Sequence, residues 1–421
     1  MANRHVPRLT ASSARHMAAA MQALSPRLIT LDGLRGLAVM GILLMNIAGF
    51  ALPDAAYFNP LAYGPGDPAD LLLWVGEFVL VDGKMRALFS LLFGASLLLV
   101  LDRARAAGED SERAHFRRMG WLLFFGLVHF YLIWHGDILV LYAVIGCAAW
   151  FFSEASTRNL LRWGIALIAL QAVIHGAAFA GTLAAGQGSA AWQAVQEDFG
   201  IPSASAIARD LALHRGSYAG LVWHRVSESG LMPFTQIFLF GAETLGFMLL
   251  GMAGLRSGFL TGQWDLARYR RCLAIGYGIG LPLSLLLAGA CWWSGFDAWM
   301  MFAAALPLGV PARPFLLLGH VALGLLWLTG GTSSLRHRVA AAGRAAFTNY
   351  LGASLLMTGL FYGYGAGLFG KVDRFGLLAI VVAIWALMLL WSPFWLDRCR
   401  YGPLEWLWRS LARGQIQSMR K

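Results

Sequence analysis

Charge is scarce in this sequence. Only 13% of its 421 residues are Asp, Glu, Lys or Arg and 58% are hydrophobic, whereas a soluble domain is about a quarter charged. That balance excludes two or three soluble domains of the same total length. Cysteine is scarce too. Cys147, Cys272, Cys291 and Cys399 lack metal-ligand spacing, and none falls in a long extracytoplasmic loop, so neither a metal site nor a disulfide framework is implied. A Walker motif, a dinucleotide fingerprint, His-Glu-x-x-His and a nucleophile elbow are all missing, which argues against ATP hydrolysis by this chain. The first 27 residues lack the apolar run of a signal peptide. No internal repeat is visible, so an inverted-repeat transporter architecture is unsupported.

What the chain has is long apolar runs. A crossing needs roughly 20 apolar residues for about 30 Å of hydrocarbon. Such runs lie near 29–52, 71–101, 119–134, 138–152, 160–183, 234–255, 272–293, 315–329, 346–367 and 377–394. The fold class expected is an all-α polytopic transmembrane helical bundle of about ten spans. The run 71–101 is too long for one helix and is interrupted by Asp82-Gly83-Lys84; a lateral or re-entrant helix followed by one crossing fits it best. The stretch 299–314, with Pro307, Pro311 and Pro314, reads as a second broken segment. Seventeen Trp and 26 Phe suit interfacial and lipid-facing positions.

Placing residues 1–27 and 397–421 in the cytoplasm as basic tails, around a membrane domain at 28–396, puts 24 of the 33 Lys and Arg on the cytoplasmic side and six opposite. This is the positive-inside pattern of a bacterial inner-membrane protein with both termini in the cytoplasm. The tail at 1–27 has room for a short surface helix around His16–Leu24. The net charge of +11 is spread between apolar spans, which excludes nucleic acid as partner. The long loop 186–233 is read as extracytoplasmic, with helices lying at the interface.

Ionisable and amide groups inside spans are costly and face a bundle interior or a wet cavity. On the first span Arg35 and Asn46 fall about 20° apart on the helical wheel and about 16 Å apart along it, with Asp32 on the same stripe. A self-neutralising Asp32–Arg35 pair is the plainer reading. His135-Gly136-Asp137 occupies a tight outer turn: a base with its orienting carboxylate, or simply an Asp137 helix cap. Lys84 and Arg86 either hold an anion or snorkel at the break. Arg117 and Arg118 either meet donor phosphates or anchor a span. Glu243, His175 and His320 stand alone, and for each a satisfied packing role is the simpler reading.

Four stretches together resemble the YeiB-like family of bacterial multipass membrane proteins. They are LDGLRGLAVMGILLMNI (31–47), GKMRALFSLLFGASL (83–97), HGDILVLYAVIG (135–146), and the pair GRAAFTNYL (343–351) with RYGPLEWLWR (400–409). The first span also resembles the opening of a wider transmembrane acyltransferase superfamily. Its O-acetyltransferase members carry a functional His ten residues after the Arg-Gly pair; here that position is Asn46. In the heparan glucosaminide acetyltransferase branch an Asn in the corresponding position is implicated in catalysis. The His that accompanies it there has no match, because residues 52–70 contain none.

The resemblance implies an acyltransferase taking an acyl group, acetyl above all, from acyl-CoA to an envelope glycan, lipid or exported small molecule. Asn46, His135 and Asp137 would be catalytic, and Arg35, Lys84, Arg117 and Arg118 would hold the CoA donor. Membrane lipids and the acceptor are the partners, and a homo-oligomer is compatible. The alternative is a secondary transporter of a small anionic solute, with the same charges lining its path. A scaffold role for the basic tail 397–421 is the third.

Overall fold

The computed structural model describes residues 11–331 and 333–421, with side chains from Ile29 onward. No β-strand occurs among them. The opening helix α1 (Ala11–Ala51) is unbroken, so the short helix expected at His16–Leu24 is part of it. Side chains of that stretch lie outside the described residues.

Among the described residues, eight helical stretches are long and apolar enough to cross a bilayer, and the chain is an all-α multipass membrane protein. Both expected breaks are present. α2 (Pro68–Leu80) is capped by the Asp67 carboxylate and stops at Val81. Gly83, at φ 69°, turns the chain into α3 (Lys84–Ala106) with a left-handed conformation that a glycine adopts without strain. α4 (Ser111–Val128) follows. Two expected crossings are short. α5 (Leu139–Trp150) has 12 residues and α15 (Ala346–Phe361) has 16, or about 18 and 24 Å of helix. The turn before α5 lies inside protein, with Trp134, Asp137 and Ile138 all buried. That is where non-helical backbone is tolerated at membrane depth.

Next come α6 (Thr157–Ala185) and three short helices, α7 (Ala190–Phe199), α8 (Ala204–His214) and α9 (Tyr218–Ser227). Ser189, Ser203 and Ser217 start these three, each accepting the backbone N–H three residues on. They form the loop end of the molecule. α10 (Met232–Arg256) and α11 (Leu266–Trp293) lead to the second break, where α12 (Ala298–Ala305) gives way to α13 (Gly309–Thr329). α14 (Ser334–Arg344), α16 (Arg374–Arg398) and α17 (Pro403–Arg413) complete the order.

The C-terminal residues, expected as a tail, are docked. Trp408 of α17 is buried beneath Arg118, whose guanidinium lies 4.0 Å from its ring centre. Glu405 accepts the Phe347 and Thr348 amides at 2.6 and 3.1 Å and the Thr348 hydroxyl at 2.6 Å, capping α15 from a neighbouring helix. Burial pushes the Glu405 carboxyl up from its ordinary value, and these donors pull against it.

Glycine allows the tightest helix contacts. A Cβ on Gly343 of α14 would overlap the Asp32 carbonyl of α1, and one on Gly251 of α10 would overlap the Leu91 carbonyl of α3. Gly251→Ala should therefore lower the melting temperature in detergent, since overpacking costs about 1–3 kcal/mol. Gly278→Ala, whose Cβ meets no atom within 4 Å, should not. Equal melting curves for the two variants would refute the close approach.

Candidate functional site

The last turn of α4 widens into a π-turn, His129–Ile133, a backbone form frequent at functional sites. It aims His129 inward, toward the start of α5. The chain then reverses through Trp134 and Gly136, a position where any Cβ would strike the Trp134 ring. Asp137 closes the reversal. Its Oδ1 accepts the Val140 amide at 2.9 Å, and its Oδ2 lies 2.7 Å from His129 Nδ1. Both side chains have zero exposure. A buried carboxylate demands a donor, so the proton sits on Nδ1 and the lone pair on Nε2. Nε2 is itself buried and without a partner among the described residues. Cap and orienter, two readings of Asp137, are the same residue doing both.

His135, however, does not pair with Asp137. It turns to the loop end, where Nε2 lies 3.5 Å from Asp54 and its ring 6.1 Å from that of His214. The expected His135–Asp137 pairing is replaced by His129–Asp137. The extra residue of the π-turn swings His129 under the turn, while Trp134, stacked on Phe50 at 3.8 Å, holds the next residue outward.

Asn46 is buried, and no described group hydrogen-bonds its amide. It faces a void of about 10 Å³ shared with Phe50, Tyr350 and Ser354, room for roughly one water. Tyr350 links the two parts, since its ring also packs on His129 at 5.3 Å. Of the stripe Asp32, Arg35 and Asn46, only Asn46 borders this void. Arg35 makes the local pair with Asp32 at 2.6 Å and a second bond, also 2.6 Å, to Ser96 of α3.

The basic residues divide. Arg118 lies within electrostatic reach of Arg35 and Arg409, and Asp32 within reach of Arg35, Arg103 and Arg344. Arg117 reaches the end of α17 through the Leu411 carbonyl at 3.4 Å. Lys84 is not among them. It is buried in the α2–α3 elbow, donating to the Phe78 carbonyl at 2.5 Å, with about 33 Å of α3 separating it from that end. One phosphate cluster containing all four expected cations is thus ruled out by geometry.

A site that sequence reasoning missed lies mid-bundle. Glu243 of α10, read as solitary, accepts Arg86 at 2.7 Å and Arg313 at 2.8 and 3.0 Å, with Glu243 fully buried. Charge complementarity among intramembrane residues was the available signal. The satisfied packing reading agrees with the structure for His320, which meets the Leu316 and Leu80 carbonyls at 2.6 and 2.9 Å; His175 meets the Leu239 carbonyl at 2.8 Å through Nε2 but leaves Nδ1 buried without a partner among the described residues. No metal-ligating cluster occurs among the described residues.

Residues 254–415 match the model of a protein of unknown function, DUF418. Three similar proteins cover nearly the whole chain. The uncharacterized protein YeiB of Escherichia coli is 36% identical over 91% of this chain and 96% of its own. The uncharacterized protein YxaH of Bacillus subtilis is 31% identical over 91% and 94%. An uncharacterized 39.9 kDa protein of Bacillus acidopullulyticus is 26% identical over 92% and 94%. No solved structure matches. On this sustained likeness, the chain belongs to the YeiB-like family of membrane proteins.

Proposed function

We propose that this protein is an inner-membrane acyltransferase that moves an acyl group, most simply acetyl, from cytoplasmic acyl-CoA to a hydroxyl or amine presented at the loop end. The observation that carries the reading is the buried His129 Nε2. Its lone pair is fixed by Asp137 and unused, and the Tyr350 ring that packs on His129 also lines the void faced by the Asn46 amide. A buried imidazole nitrogen left without a partner is costly, and a base together with an amide donor is what acyl transfer requires.

In the reaction the acceptor gives its proton to His129 Nε2 as its oxygen or nitrogen bonds the acyl carbon. The carbon–sulfur bond then breaks, and the departing thiolate takes the proton back from Nε2. Asn46 donates its amide N–H to the developing oxyanion, an interaction worth about 3–4 kcal/mol in preorganised sites. Arg35, Arg117, Arg118, Arg344 and Arg409 at the tail end bind the donor's phosphates. The 16 Å or so of α1 from Arg35 to Asn46 is a span that an extended pantetheine arm bridges once the helices part. The tail end, richest in Lys and Arg, faces the cytoplasm.

The test is acetyl-CoA binding and slow CoA release by the purified protein. Arg118→Ala should weaken binding about tenfold or more, because a hydrogen bond to a charged group contributes about 1.5–3 kcal/mol. Lys371→Ala at the loop end should not. Undiminished binding by Arg118→Ala would remove the donor site from the tail end. The Arg86–Glu243–Arg313 group favours a second reading, secondary transport of an anion. Solute flux in liposomes with neither CoA binding nor release would replace the first reading with this one.

A further inference from the structure

α9 lies across the π-turn at the loop end, tied there by Tyr218 Oη donating to the Leu132 carbonyl at 2.9 Å. Tyr131 Oη secures the chain beyond α9, donating to the Gly230 carbonyl at 2.6 Å. The helix has two faces. Trp223 and Val226 are exposed at 71% and 53%, as on a helix bedded in a lipid interface. Leu221 and Arg225, one turn apart, point the other way. Leu221 joins the apolar cluster of Trp134, Met357, Phe361 and Tyr362.

Arg225 follows Leu221 inward and is 3% exposed, yet it makes no ion pair among the described residues. Its Nη2 is buried without a hydrogen-bond partner among the described residues, and so is the hydroxyl of Tyr362. The guanidinium lies 5.9 Å from the Tyr362 ring centre. Acids are nearby, but histidines hold them: Asp54 by His135 at 3.5 Å, Asp210 by His214 at 2.7 Å, and Glu228 by His224 at 3.2 Å.

A buried charge without a counterion is strongly unfavourable, and a guanidinium fork matches an oxyanion. The buried Tyr362 phenol, whose ring centre lies 5.9 Å from that guanidinium, is a second donor without a partner among the described residues. We infer that Arg225 and Tyr362 form a binding site for a phosphate group, entered at the loop end beneath α9. Phosphate is favoured because the opposite face of the same helix is built to rest among phospholipid headgroups. The occupant is then the phosphate of a lipid-borne molecule or of a soluble one, and the inference stands whether or not the chain transfers acyl groups.

The test is thermal melting of the full-length protein in a non-ionic detergent, titrated with inorganic phosphate in one arm and dihexanoyl phosphatidylglycerol in the other. Saturable stabilisation by one probe is expected, and which probe works identifies the soluble or lipid source. Arg225→Leu should weaken that response about tenfold or more and, without probe, should melt no lower than wild type, since it removes an uncompensated charge. Tyr362→Phe, which keeps the ring, should weaken the response several-fold. The site is refuted if neither probe stabilises wild type, if Arg225→Leu and Tyr362→Phe respond like wild type, or if Arg225→Leu melts lower without probe and binds unchanged.

Discussion

His129→Gln should lower acyl transfer by about 10²–10⁴-fold, the usual contribution of a positioned base, while His135→Gln should leave it within about twofold. The contrast follows from where each ring lies. His129 has its Nδ1 against Asp137 at 2.7 Å and an idle Nε2. His135 is 19% exposed and faces Asp54 instead. Asp137→Asn separates orientation from capping. An Asn side-chain oxygen still accepts the Val140 amide, so the helix start survives. Its amide nitrogen, however, would present a donor to Nδ1 and force the proton onto Nε2, where the lone pair is needed. Melting near wild type with transfer nearly as low as in His129→Gln is therefore expected. Steady-state CoA release under both substrates reads all three variants. Equal loss in His135→Gln and His129→Gln would overturn the assignment.

Why the sequence paired Asp137 with the nearer histidine is a matter of local backbone. Asp137 was legible because a carboxylate after a Gly, ahead of an apolar run, is a helix start whatever else it does. Its partner was not. Eight residues separate His129 from Asp137, and a regular helix end would direct His129 elsewhere; the π-turn at His129–Ile133 carries no residue signature. The breaks were readable for the opposite reason. Asp82-Gly83-Lys84 places a left-handed glycine beside two charges, and Pro307 sits where α12 stops. Pro311 and Pro314, by contrast, are absorbed near the start of α13. That brings Arg313 into the bundle, although its surrounding prolines read as part of a broken segment. Asn46 was found by helical periodicity and by the resemblance of the first span. The extent of empty space beside it depends on how α15 packs against α1, which no single stretch of sequence records.

The largest loss of stability should come from Glu243→Gln. Glu243 is the one carboxylate bonded to both Arg86 and Arg313, in a place where all three side chains are at most 11% exposed. The guanidiniums have other supports, Arg313 Nη2 on the Ala305 carbonyl at 2.5 Å and Arg86 over the Phe240 ring at 4.5 Å, but none of these is an anion. Removing one partner of a buried charge group costs about 3–5 kcal/mol, so the variant should melt well below wild type in detergent. The combined variant Arg86→Met, Glu243→Leu, Arg313→Met removes every charge of the group and should recover most of that loss, because desolvation of the ions disappears with their attraction. Recovery would mean that the triad is held for something other than stability, and transfer and flux assays on this variant then decide which. A Glu243→Gln protein that melts with wild type would show that the two arginines are neutralised elsewhere, and the triad would lose its claim on either activity.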